Sequence, residues 1–120
     1  MNSSMVFITG LSLIIIHEMD AIRCKEWRIF PGLSILKNKT GQTVFLFAHI
    51  PIFIWLFWQI TNSSDIDSFR IGFDIFLIAH LGFHLLFLKH KNNEFKDWIS
   101  WTIIAGAGIS GLLDLILKWN

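Results

Sequence analysis

The chain has 120 residues, of which 53% are hydrophobic and only 16% are charged. Soluble domains carry about 25% charged residues, so this composition favours a membrane protein. The net charge of +1, with the basic residues clustered in loops and not on one face, gives no signature of nucleic-acid binding, and we expect no nucleic-acid partner. The one cysteine, Cys24, excludes an intrachain disulfide and a paired-cysteine metal motif.

Four apolar segments are each close to the ~20 residues that a membrane-spanning helix needs. They lie at about residues 5–22, 43–60, 69–88 and 98–117. A backbone in lipid must satisfy its own hydrogen bonds, and these runs do not alternate as strands do. We therefore predict an all-α fold, a single integral membrane four-helix bundle over residues 1–120. Its helices are predicted at about 5–28, 43–60, 69–89 and 97–118.

The loop charges predict how the bundle is oriented. Eight of the ten Lys and Arg residues lie in the loops after the first and third helices, at 23–42 and 89–97. Basic loops stay in the cytoplasm, so both termini are predicted on the non-cytoplasmic side. We expect a multi-pass protein of the bacterial inner membrane, with the lipid bilayer as its partner.

Four histidines lie inside the apolar segments, where ionisable groups are costly and usually functional. At ~1.5 Å per residue, His17, His49, His80 and His84 lie roughly 9, 10, 13 and 8 Å from the cytoplasmic boundary. His80 and His84 are i,i+4 and share a helix face, as do His17 and Asp20 at i,i+3. The sequence therefore predicts one polar layer built by the first three helices.

The remaining polar positions have local interpretations. Asp74 follows Arg70 by four residues and Asp114 precedes Lys118 by four, so each is predicted to form an i,i+4 pair near the outer surface, although Asp74 can instead hydrogen-bond into the bundle. Glu26 is predicted to lie on a solvated interfacial face. In the fourth helix the small residues of AGAGISG, at 105–111, predict close packing within the bundle or, in a homo-oligomer, against a second copy.

Four stretches of the chain together resemble a known family of small bacterial integral membrane proteins of unknown function. They carry the motifs HE-x-D-A, EWR, HIP and D-x5-H-x3-H, in this order, and the resemblance extends from the first helix to the fourth. It implies a four-helix membrane protein and brings no established activity. The polar positions that match the family pattern are His17, Glu18, Asp20, Glu26, Arg28, His49, Asp74, His80 and His84.

The polar layer favours a metal site, because neutral imidazole and carboxylate are common ligands of transition metals. The predicted ligands are His17, Asp20, His49, His80 and His84, with Glu18 as a possible further ligand. Zinc is the first expectation for the metal and iron the second. If the site is catalytic, Glu18 or Asp20 is the candidate base for a metal-activated water.

Three other interpretations of the layer remain open. Two facing histidines can ligate haem, although haem leaves the carboxylates unexplained and is disfavoured. A line of His, Asp and Glu side chains can also transfer protons. Finally, the layer can be a metal-free polar network in a structural or accessory membrane subunit, because hydrogen bonds between helices hold them in register.

Overall fold

The fold, described from a computed structural model for residues 2–120, consists of four long helices. They are α1 Ser3–Arg23, α2 Asn38–Asn62, α3 Ile66–Leu86 and α4 Trp98–Trp119, and the α1–α2 loop contains two short 3-10 turns at Glu26–Arg28 and Leu33–Ile35. All four helices are long and apolar enough to cross a membrane, and the described residues contain no strand. The prediction of an all-α four-helix membrane protein is therefore confirmed.

Three of the helices begin at side-chain caps. Asn2, Asp65 and Asp97 each accept a hydrogen bond from a backbone N–H in the first turn of α1, α3 and α4. An Asp at this position is a favourable N-cap, because its carboxylate satisfies a backbone N–H that has no partner within the helix. Hydrogen bonds from the hydroxyl and the N–H of Ser68 hold the pKa of Asp65 below its usual range. These caps fix the starts of α1, α3 and α4.

α1 is shorter than the sequence predicts. The helix predicted over 5–28 ends at Arg23, because Lys25 adopts a left-handed conformation with φ of 52°. A left-handed residue cannot continue a right-handed helix, so the chain reverses at this point. The following 3-10 turn, Glu26–Arg28, is folded back against the bundle, and Glu26 and Trp27 are buried.

α4 packs against α1 and α3 through its small residues. A Cβ on Gly108 would lie 2.6 Å from Leu81 of α3, and one on Gly106 would lie 3.1 Å from Leu13 of α1. A Cβ at Gly108 would force Leu81 to shift, and one at Gly106 would need the end of Leu13 to give way by a few tenths of an ångström. The small-residue face is therefore used within the chain, so the homo-oligomer predicted through it would need a different surface.

The polar groups that the sequence predicts near the outer surface form a buried network between helices. Arg70 of α3 donates to Asp114 of α4 at 3.1 Å, and not to Asp74 as the sequence predicts. Lys118 lies 3.4 Å from Asp114, the predicted i,i+4 pair, and also 3.5 Å from Asp74. Both aspartates are fully buried. The interpretation as surface pairs is therefore wrong, because α3 and α4 approach closely enough to enclose both carboxylates.

α2 stands apart from the other three helices, and its buried residues are only Gly41, Phe45 and Leu56. Between α2 and the pair α1 and α3 lies a cavity of about 630 Å³, called here the lateral cavity. Its walls come from α1, α2, α3 and the α1–α2 loop. Because α2 packs loosely, the fold leaves this space beside the polar layer.

Candidate metal centre

Three of the predicted histidines come together in the structure. His80 and His84 are one turn apart on α3, and their Nε2 atoms are 3.3 Å apart. The ring of His17 on α1 lies with its centroid 4.4 Å from that of His80 and 4.9 Å from that of His84. His17 and His84 are buried and His80 is half-buried. The packing of α1 against α3 thus creates a compact group of three imidazoles.

Glu26 completes this group, although the sequence predicts it on a solvated face. Its Oε2 atom lies 3.0 Å from Nε2 of His17 and 4.0 Å from Nε2 of His84. On a continuous helix Glu26 would be nine residues, or roughly 13 Å, beyond His17. The left-handed Lys25 reverses the chain and brings the carboxylate back under α1. The expectation of a solvated Glu26 is therefore wrong, since the residue is 6% exposed.

These four residues, called here the His–Glu cluster, have the arrangement of a metal site. Each of His17, Glu26, His80 and His84 offers one ligand atom, and these atoms lie within 4.8 Å of one another. The Nδ1 atoms of His17 and His80 are buried and have no hydrogen-bond partner in the structure. Buried polar atoms rarely lack a partner, so these imidazoles are not satisfied by the protein alone.

An aromatic side chain from the α3–α4 loop closes the cluster on one side. The fully buried Phe95 stacks on His17 with ring centroids 5.4 Å apart, and meets His84 edge-to-face at 4.6 Å. The loop holds Phe95 in place, because its N–H donates to Asn93 and its carbonyl accepts from Trp101. Phe95 therefore limits the access of water to His17 and His84.

Asp20, a predicted ligand, is bonded elsewhere. Its carboxylate accepts from Arg23 at 2.7 Å and from the Ser100 hydroxyl at 2.5 Å. It thereby ties α1 to the start of α4. Cys24 lies in the same group, and burial raises the pKa of its thiol, which disfavours the metal-binding thiolate. The structure therefore places Asp20 and Cys24 in a helix-joining group and not in the His–Glu cluster.

His49 and Glu18 form a separate pair that joins α2 to α1. The Nε2 atom of His49 lies 2.7 Å from Oε2 of Glu18. The Nδ1 atom of His49 lies 2.6 Å from the carbonyl oxygen of Phe45. Both nitrogens of His49 thus have protein partners. The pair nevertheless lines the lateral cavity, together with Glu26 and His80 of the cluster.

The comparison with known protein families gives one match over nearly the whole chain. A model of the family of unknown function DUF6713 matches residues 3–120. The chain belongs to this family. No curated protein and no solved structure matches it. The family brings no activity with it, so the function has to be argued from the cluster and the cavity themselves.

Proposed function

We propose that this protein is a membrane metalloprotein that binds one zinc ion through His17, Glu26, His80 and His84. The observation that carries the proposal is the convergence of four ligand atoms, from two helices and a loop, within 4.8 Å. Three imidazoles and one carboxylate are a common donor set for zinc and also suit iron. Asp20 and His49 are left out of the proposed ligand set because other protein groups bind them.

The distances suit a tetrahedral ion after a small contraction. Two ligand atoms that each lie about 2.0–2.1 Å from a tetrahedral zinc are about 3.3–3.4 Å apart. The His80–His84 distance of 3.3 Å and the His17–Glu26 distance of 3.0 Å are already close to this value. The His84–Glu26 distance of 4.0 Å must shorten by less than about 1 Å. The four ligand atoms lie within 4.8 Å of one another, so the widest separation must shorten by up to about 1.5 Å.

The charge of Glu26 supports a cation at this position. A buried carboxylate is costly unless it has a positive partner. Among the described residues, the salt-bridge partners of Glu26 are only His17 and His84, and neither Lys nor Arg pairs with it. If Glu26 is ionised, its partner is therefore either a metal ion or a protonated imidazole. The second case is the metal-free polar network, which the direct His17–Glu26 contact of 3.0 Å favours.

Haem is not part of the proposal, since the packed imidazoles leave no gap for a porphyrin.

The proposed location of the centre is the cytoplasmic leaflet of a bacterial inner membrane, with both termini outside. Its support is the charge of the two basic loops and the positive-inside rule. Labelling of a single cysteine at Ser64, in a Cys24→Ser background, tests this topology. Ser64 lies in the exposed α2–α3 loop, so we expect it to react with an impermeant reagent only from outside. Reaction from the cytoplasmic side would overturn the orientation.

Metal analysis of the purified protein tests the centre. We expect about one zinc per chain by mass spectrometry, lost in His84→Ala and retained in His90→Ala. His90 is the matched control because it lies in the α3–α4 loop outside the cluster. Glu26→Gln keeps the shape of the side chain and separates loss of metal from loss of fold. A folded protein without metal would overturn the proposal in favour of the polar network, and stoichiometric iron would change the identity of the metal.

A further inference from the structure

The lateral cavity has the size and lining of a small-molecule site. Its volume of about 630 Å³ falls within the range of roughly 300–1,000 Å³ that such sites occupy. Most of the wall is aromatic or aliphatic. The ionisable groups on it, Glu18, Glu26, His49 and His80, lie toward the end beside the His–Glu cluster. The cavity is therefore apolar along its length and polar at one end, which matches an amphiphilic molecule.

The length of the cavity matches one lipid-like chain. Ser68 and His80 both line it on α3, and the twelve residues between them span roughly 18 Å. Half of the ~30 Å hydrocarbon core of a bilayer is about 15 Å, the depth that one acyl chain occupies. The wall beyond the polar end carries Phe53, Phe69 and Phe73. A single extended alkyl chain fits this shape and chemistry.

The polar end selects against charged and bulky head groups. Two carboxylates, Glu18 and Glu26, face the cavity, and no Lys or Arg among the described residues lines it. An anionic head group would lie beside two carboxylates with no Lys or Arg to pair with it, and the proposed zinc already has four protein ligands. His49 lies roughly 10 Å inside the membrane boundary, too deep for a phospholipid head group. A hydroxyl group is small and uncharged, and it can donate to a carboxylate while accepting from an imidazole.

We propose that the lateral cavity binds one long-chain primary alcohol. Its hydroxyl lies at the end formed by Glu18, Glu26, His49 and His80, and its chain lies along the phenylalanines between α2 and α3. The position of the hydroxyl beside a metal ion rests on the proposed function. Occupancy of the cavity by the chain does not, because the apolar wall exists without the metal.

Binding of radiolabelled hexadecanol to the full chain in detergent tests the proposal. Gly72 and Gly82 make a matched pair on α3, since a Cβ on either meets nothing within 4 Å and only Gly72 lines the cavity. Gly72→Leu fills the cavity, whereas Gly82→Leu adds the same side chain outside it. We expect saturable binding of about one alcohol per chain, at least tenfold weaker in Gly72→Leu and unchanged in Gly82→Leu.

Three results would overturn the proposal. Equal binding by Gly72→Leu and Gly82→Leu, or recovery of phosphatidylcholine alone in the cavity, would show that hexadecanol does not occupy it. Hexadecanoate that binds as tightly as hexadecanol at neutral pH would refute the selection at the polar end. Repeating the titration after chelation separates the two proposals. If the purified protein binds hexadecanol but contains no metal, this inference stands and the metal centre is refuted. If it contains zinc but binds no hexadecanol, the metal centre stands and this inference is refuted.

Discussion

The approach of α4 to α3 at Gly111 allows a quantitative test of the packing that positions the histidines of α3. A Cβ on Gly111 would lie 2.7 Å from the carbonyl oxygen of Asp74 and 3.0 Å from the Cβ of Leu77. Neither atom can move aside by a rotamer change, since one belongs to the backbone and the other is the first carbon of its side chain. In Gly111→Ala the closer contact must open to at least 3.0 Å, so α4 has to move away from α3.

The size of the effect follows from two opposing terms. Alanine stabilises a helix by about 0.5–1 kcal/mol relative to glycine. Overpacking at a contact that cannot relax costs about 1–3 kcal/mol. Gly82→Ala on α3 has only the gain in helix stability, because its Cβ meets open space. We therefore expect Gly111→Ala to have a free energy of unfolding lower than that of Gly82→Ala by about 1–3 kcal/mol.

Unfolding in mixed micelles with increasing sodium dodecyl sulfate, followed by circular dichroism, measures this difference. The two variants share the gain in helix stability from alanine, so the difference between them isolates the contact between α4 and α3. Equal stability of Gly111→Ala and Gly82→Ala would show that the two backbones do not approach at Gly111. The close packing of α3 against α4 described above would then be refuted.

Three further predictions concern the cluster and the outer network. Glu26→Gln should lower zinc affinity by at least about tenfold in a chelator competition, because loss of even a residue that only hydrogen-bonds to a metal ligand costs about 10–100-fold. The control Glu94→Gln, in the exposed loop, should leave zinc affinity unchanged. Acidification should release the metal because protons compete for imidazole and carboxylate, and full retention near pH 4 in a dye-release assay would contradict the ligand set. Asp114→Asn should lower the free energy of unfolding by about 3 kcal/mol, because it leaves the largely buried Arg70 without its charge partner. A loss no greater than that of the control Asp67→Asn, at an exposed position, would argue against the network.

Local patterns in the sequence are enough to predict the helices and part of the site. Continuous apolar runs require helices in lipid, whatever their neighbours are. The i,i+4 spacing puts His80 and His84 on one face of α3 by helix geometry alone. Counting residues from the basic loops puts His17 at a similar depth on α1. These three histidines are brought together in the structure, whereas metal binding by them stays a prediction.

The sequence alone thus determined the four spanning helices and the level at which their histidines lie, because length, hydropathy and helical periodicity are local properties. Only the tertiary structure decided which acid joins the histidines. A reversal at Lys25 turns Glu26 inward, while the packing of α1 on α4 brings Asp20 to Ser100. Likewise, α2 stands apart, so His49 meets Glu18 beside the lateral cavity. Spacing along the chain sets depth and face, but the rotation of each helix and the path of each loop depend on contacts between distant residues.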